Sequence, residues 1–93
     1  MSGANDESIV PALRRGVKFR FDAVREAWVL LAPERLFQPD AIAVEVLKLV
    51  DGTRTLGAII DDLAERFRAP RATIAADVIT LLRDLAEKGA VTL

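Results

Sequence analysis

Enzyme chemistry most often starts at a histidine, a cysteine or a tyrosine, and this 93-residue chain contains none of the three. The commonest general base, the thiolate nucleophile and the usual nitrogen and sulfur ligands of zinc are therefore missing. Only carboxylates, amines and guanidinium groups remain. Asp61-Asp62 with Glu65 offers oxygen ligands, but no calcium-loop spacing accompanies them, and the same residues fit the solvated face of a helix. Arg14-Arg15 with Lys18 and Arg20 makes a small basic cluster, suited either to a partner's carboxylates or simply to water. No carboxylate pair stands in an apolar stretch that would raise its pKa, so no general acid or base is in view. The reading is a protein that holds something rather than transforms it, with no catalytic, metal or cofactor site expected.

Length and composition sharpen this. Ninety-three residues make one domain. Hydrophobic residues form 52% of the chain and aromatics 5%, so the core must be aliphatic. A chain this short cannot bury all of that, and some apolar area is expected outside, as a groove or partner surface. A net charge of −1 provides no basic field to attract nucleic acid or an anionic membrane. No apolar run approaches the ~20 residues of a membrane span. The polar, acidic start Met1-Ser2-Gly3-Ala4-Asn5-Asp6-Glu7-Ser8 is unlike a signal peptide, which makes a cytoplasmic location the expectation.

Such a surface must be positioned by regular elements. Residues 1–10 are expected to be a disordered lead and 11–93 the domain. Val17-Lys18-Phe19-Arg20-Phe21-Asp22 alternates apolar and polar, as a half-buried strand does. Ala27-Trp28-Val29-Leu30-Leu31-Ala32 is apolar on both faces and reads as a central strand, with Trp28 in the core. Arg35-Leu36-Phe37-Gln38, between Pro33 and Pro39, fits a short edge strand. Asp40 caps a helix predicted over 41–50, with Ile42, Val46, Leu49 and Val50 as its inner stripe and Asp51-Gly52 as its stop. Thr55 caps a second helix on which Leu56, Ile59, Ile60, Leu63 and Phe67 keep helical spacing. Pro70 opens a third helix that runs to Lys88, with Gly89 as the stop and Val91-Thr92-Leu93 as a short terminal strand.

The third helix is the widest in apolar character. With Ile74 at zero and about 100° per residue, Val78, Leu81 and Leu85 fall within about 40° and read as core. Ala75, Leu82, Ile79 and Ala86 form a second stripe at about 80–140°, which widens the apolar arc beyond the ~100° needed to pack on one neighbour. Either the sheet or the first helix covers this stripe, or Ile79, Leu82, Ala75 and Ala86 wall a groove with Arg83 at its rim. An edge strand beside such a wall makes a peptide site. The unpaired N–H and C=O groups of Arg35 to Gln38 would pair with an extended chain, and apolar pockets would read its alternate side chains.

Several strings, in order, carry a resemblance. Arg15-Gly16-Val17 enters the first strand, Leu30-Leu31-Ala32-Pro33-Glu34 ends the second, Asp51-Gly52-Thr53-Arg54-Thr55 joins helices, and Asp77-Val78 with Leu81-Leu82 lies on the last helix. Together they resemble the PqqD family over roughly residues 9 to 93. The resemblance implies an α+β, winged helix-turn-helix-like fold, a three-stranded antiparallel sheet followed by a three-helix bundle. It implies a non-catalytic peptide chaperone of pyrroloquinoline quinone (PQQ) biosynthesis, the recognition element of a ribosomally made and modified peptide. Its partners would be the precursor peptide PqqA and the radical SAM enzyme PqqE, which crosslinks a Glu and a Tyr within that peptide. In the family the peptide adds as a strand beside the third strand and against the third helix. Carried over, that selects Arg35, Leu36, Phe37 and Gln38 together with Ala75, Ile79, Leu82, Arg83 and Ala86. The chain departs from the family pattern at Pro39, which cannot donate a hydrogen bond, so an added ladder should stop at Gln38. The family also occurs fused to the next pathway enzyme.

Two other classes compete. A winged helix can bind DNA, but the presumed recognition helix sets Arg71, Arg83 and Lys88 against Asp77, Asp84 and Glu87, which is no phosphate-neutralising face. An enzyme would have to work with carboxylates and lysines alone. A monomer is expected, although an exposed strand edge permits strand-exchanged dimers.

Overall fold

The computed structural model describes residues 6–93. Five strands and three helices follow one another as β1 (Ala12–Leu13), β2 (Lys18–Asp22), β3 (Ala27–Ala32), β4 (Arg35–Phe37), α1 (Ala41–Leu47), α2 (Leu56–Phe67), α3 (Arg71–Glu87) and β5 (Val91–Thr92). The fold is α+β, with the antiparallel sheet β2-β3-β4 leading into the three helices as the alternation of residues 17–38 predicts. A second, two-stranded ribbon was not predicted. β1 pairs with β5 antiparallel, Ala12 opposite Thr92 and Leu13 opposite Val91, which ties the start of the domain to its end.

The sheet's inner face follows from its register. Phe19 stands opposite Leu30, and Leu30 opposite Phe37, so these three share the face turned to the helices. Leu30 is fully buried, and Phe19 and Phe37 pack against the core. Phe21 lies on the same face, edge-on to Trp28, and is 51% exposed. Trp28 is half-buried rather than core: it stacks on Phe19 with ring centroids 4.8 Å apart, and Lys48 Nζ lies 5.2 Å from its ring.

The three helices contribute most of the interior. Thr55 Oγ1 accepts the Ala58 N–H at 3.1 Å and so fixes the start of α2, which buries Leu56, Ile59, Ile60 and Leu63. Asp40 Oδ1 does the same for α1, accepting from Ala43 N at 2.8 Å. α1 is shorter than predicted. It ends at Leu47, and the Leu49 and Val50 N–H groups bond three residues back in a tighter turn. Its buried residues are Ala43, Val44, Val46 and Leu47, whereas Ile42, read as part of the inner stripe, is 62% exposed. A seven-residue helix apolar almost all round does not reveal its inner face in its periodicity.

Of the lead predicted over residues 1–10, residues 1–5 lie outside the described ones, and part of the rest is docked. Glu7 C=O accepts the Gly57 N–H at 2.9 Å, and Ile9 C=O accepts the Leu56 N–H at 2.8 Å, so this segment satisfies amides at the N-terminus of α2. The approach is close: a Cβ at position 57 would stand 3.1–3.3 Å from atoms of Glu7, which would have to shift by a few tenths of an ångström. Arg71 at the start of α3 bridges Glu7 and Asp61, with Nε 2.6 Å from Asp61 Oδ1. Its hydrogen bond holds the Glu7 carboxyl below the usual range and raises the Arg71 pKa in turn.

Leu82, 1% exposed, should lose about 2–5 kcal/mol of stability on Leu82→Ala, while Ile42→Ala should cost under about 1 kcal/mol, as read by urea denaturation. Between α1 and α2, Asp51 Oδ1 accepts the Arg54 and Thr53 N–H groups and the Thr53 hydroxyl, which draws its pKa from 3.8 down to about 2. A folded pKa below the unfolded one stabilises above the unfolded value, and that contribution fades as pH falls from about 4 toward about 2. Asp51→Asn should flatten this part of an acid titration, and carboxyl NMR should find the Asp51 midpoint near 2.

Candidate functional site

β4 is an edge strand: it pairs with β3 on one side, and the sheet ends there. Its hairpin turn is two residues long, Pro33-Glu34, and closes on the Ala32–Arg35 pair. A two-residue turn makes that pair a hydrogen-bonded one, and antiparallel pairs alternate. Arg35 and Phe37 therefore spend their amide groups on β3, while the N–H and C=O of Leu36 point out of the sheet. Continuing the alternation, Gln38 is the next residue to face outward, and Pro39 follows with no N–H to offer. The free edge is short and carries its hydrogen-bonding groups at Leu36 and Gln38.

A groove adjoins this edge. A cavity of about 220 Å³ is lined by Leu30, Phe37, Gln38, Pro39 and Asp40 from the sheet side and the loop after it, by Ala43 and Leu47 of α1, and by Leu81, Asp84, Leu85 and Lys88 of α3. Its floor is aliphatic and aromatic. Its rim is polar: Lys88 Nζ donates to Asp84 Oδ2 at 2.8 Å, and the Arg35 guanidinium lies 5.3 Å from the Phe37 ring centre. Leu36 is 42% exposed on the opposite face of the strand. The arrangement can hold an extended chain by its backbone and seat alternate side chains in the groove. Among the described residues no cluster of three or more His, Cys, Asp or Glu side chains could hold a metal ion.

The β4 residues singled out from the sequence, Arg35 to Gln38, lie together at this edge. Those singled out on α3 lie elsewhere. Ala75, Ile79 and Ala86 pack half-buried against the core, Leu82 is buried within it, and Arg83 is exposed; none of the five lines the groove beside β4. The groove instead takes Leu81, Asp84, Leu85 and Lys88, which sit at about −80° to +20° on the helical wheel, on the other flank of the apolar arc. A usable signal existed in that flank. Leu81 borders Asp77, Asp84 and Lys88, so it marks a boundary between apolar and charged surface, as a groove with a polar rim requires.

The geometry defines a small α+β domain with an open sheet edge beside a helical groove, and comparison with known proteins places it. The chain belongs to the PqqD family: residues 27–91 match the family model described as coenzyme PQQ synthesis protein D. A relative from Rhodopseudomonas palustris strain BisB5, named PqqA binding protein, is 55% identical over 92% of this chain and 84% of its own length. The bifunctional coenzyme PQQ synthesis protein C/D of Methylorubrum extorquens is 52% identical over 87% of this chain, which corresponds to 22% of that longer protein. The solution structure of the PqqD truncation of Methylobacterium extorquens PqqCD superposes with a TM-score of 0.79 at 48% identity, covering 95% of this chain and 94% of that one. That structure is described as a functional, stand-alone recognition element for a ribosomally synthesised and modified peptide. No helix among the described residues is long and apolar enough to cross a membrane.

Proposed function

We propose that this chain is a non-catalytic peptide chaperone of PQQ biosynthesis that binds the precursor peptide PqqA as a strand added to β4 and presents it to the radical SAM enzyme PqqE. The observation that carries the reading is the unpaired edge at Leu36 and Gln38 lying directly against the groove of Phe37, Leu81 and Leu85. Backbone pairing supplies affinity with little sequence preference, and the groove supplies selectivity. Membership of the PqqD family and the names of its relatives support PqqA as the peptide. The relative that joins C and D in one chain supports a role beside a pathway enzyme. The reading sets the chain in the cytoplasm, where a ribosomal precursor is made, and has it act as a monomer.

The other free edge of the sheet is a poorer site. β2 carries Lys18 and Arg20, charges of the kind that deter edge pairing, and no described groove adjoins it. A DNA-binding role is poorer still. Of the α3 cations, Arg71 is tied to Glu7 and Asp61 and Lys88 to Asp84, which leaves Arg83 as the one unpaired among the described residues. A single free cation on a presumed recognition helix does not neutralise a phosphate backbone.

Titrating the isotope-labelled domain with synthetic PqqA tests the placement. Amide shifts are expected from Arg35 to Gln38 and at Leu81, Asp84 and Lys88, with slowed hydrogen exchange at the Leu36 amide. Shifts confined to β2 and Arg14-Arg15 would refute strand addition at β4. Shifts at Ala75, Ile79 and Ala86 in place of Leu81 and Lys88 would move the peptide to the other flank of α3.

A further inference from the structure

Three cavities lie in a row along α3, and adjacent ones share their linings. Asp40, Ala43 and Leu81, which line the groove beside β4, also line a second cavity that adds Ile42, Asp77 and Thr80. Ile42 and Asp77 in turn line a third, of about 280 Å³, closed by Val46, Leu63, Phe67 and Ile74. On α3 the lining residues step steadily from Lys88 and Leu85 through Leu81 and Asp77 to Ile74 and Thr73. At 1.5 Å per residue this stretch spans about 22 Å, the length of roughly six or seven extended residues. The cavities are therefore stations along one trough in the seam between α1 and α3.

The chemistry of the trough changes along its length. Its middle is acidic: the carboxylates of Asp40 and Asp77 border it, and among the described residues neither makes an ion pair. Its far end is apolar, and two large side chains there stand in water, Ile42 at 62% and Phe67 at 49% exposure. Burying such surface is favourable, so the far end is a ready anchor for an apolar side chain. Pro39 matters at the near end. It faces β3, and the C=O of the next residue, Asp40, accepts the Val44 N–H as α1 begins, so a strand paired along β4 must leave the ladder after Gln38, where the trough opens.

We propose that the seam is a second subsite for the peptide bound at β4: past Gln38 the peptide turns into the trough, sets a Lys or Arg side chain between Asp40 and Asp77, and buries an apolar side chain against Ile42, Phe67 and Ile74. This rests on the strand-addition reading above. Continuity of the trough with the β4 groove and the acidic station between the two apolar ones favour one basic and apolar peptide segment over a second copy of the chain. Recognition would then depend on a spacing of about six residues between the paired segment and the anchor, which extends selectivity beyond the ladder.

Fluorescence anisotropy with labelled synthetic PqqA tests the seam, using wild type, Asp77→Lys and Phe67→Ser, both at exposed positions, with circular dichroism to verify their folds. Each variant is expected to weaken binding by about tenfold or more, while the Leu36 amide stays protected from exchange in the residual complex. Unchanged affinity in both variants with Leu36 still protected would overturn the seam and leave strand addition standing. Absence of Leu36 protection in the wild-type complex would overturn strand addition and the seam with it. A wild-type dimer in sedimentation that Phe67→Ser dissolves would assign the far pocket to a second copy, and the proposal would fail.

Discussion

A backbone amide left without a partner is the constraint on which this molecule turns. Every N–H and C=O of a strand must be met by another strand, a side chain or water, and a strand at the rim of a sheet meets only half of its own. β4 is held at that rim by the tight Pro33-Glu34 turn on one side and by Pro39 and the Asp40 cap on the other, so the chain passes directly from strand to helix. α1 then lines the groove beside the edge through Ala43 and Leu47. In water the exposed groups at Leu36 and Gln38 are satisfied cheaply, and an incoming backbone displaces that water at little enthalpic loss. Under the proposed strand addition, the edge is stable when free and open to an incoming backbone.

In the proposed reading the selectivity of this edge comes from its neighbour. Phe37, Leu81 and Leu85 form an apolar floor within a side chain's reach of the free ladder, and Ala43 leaves room above it because its side chain is a single methyl. The core that fixes this geometry lies behind, where Leu30 of the sheet packs with Leu56, Ile59 and Ile60 of α2 and with Val78 and Leu82 of α3. The division of labour runs through α3. Val78 and Leu82 are buried in the core, while Leu85, itself 7% exposed, and Leu81 pack on the core and also line the groove, so one helix serves both.

Much of this was legible in the residues. Strict alternation from Val17 to Phe21 and the continuous apolar run from Ala27 to Ala32 specify an outer and a central strand, and Pro33 and Pro39 bracket the edge. Thr55 and Asp40 mark helix starts because only their short oxygen-bearing side chains reach back to the amides. Three features were hidden for physical reasons. The β1–β5 ribbon joins two-residue strands some eighty positions apart, and local periodicity carries no trace of such a pairing. α1 is apolar on nearly every side, so its periodicity does not show that Ile42 stands in water while Ala43 is buried. The apolar arc of α3 is wide, and although the charged neighbours of Leu81 hint at a groove rim, only the tertiary packing turns Leu81 toward β4 and Leu82 into the core. The hydrogen bonds of Glu7 and Ile9 to α2 went unseen as well, because a polar, acidic segment gives no sign that a glycine at position 57 awaits it.

The central claim is that a foreign backbone completes the sheet at β4. The most direct measurement is an isotope-filtered NOE spectrum of the labelled domain with unlabelled PqqA, which reports only contacts between the two chains. The account predicts backbone contacts from the peptide to the amide protons of Leu36 and Gln38, in the alternating pattern of a β-ladder. Contacts to side chains alone, or a ladder along Lys18 to Asp22, would contradict it.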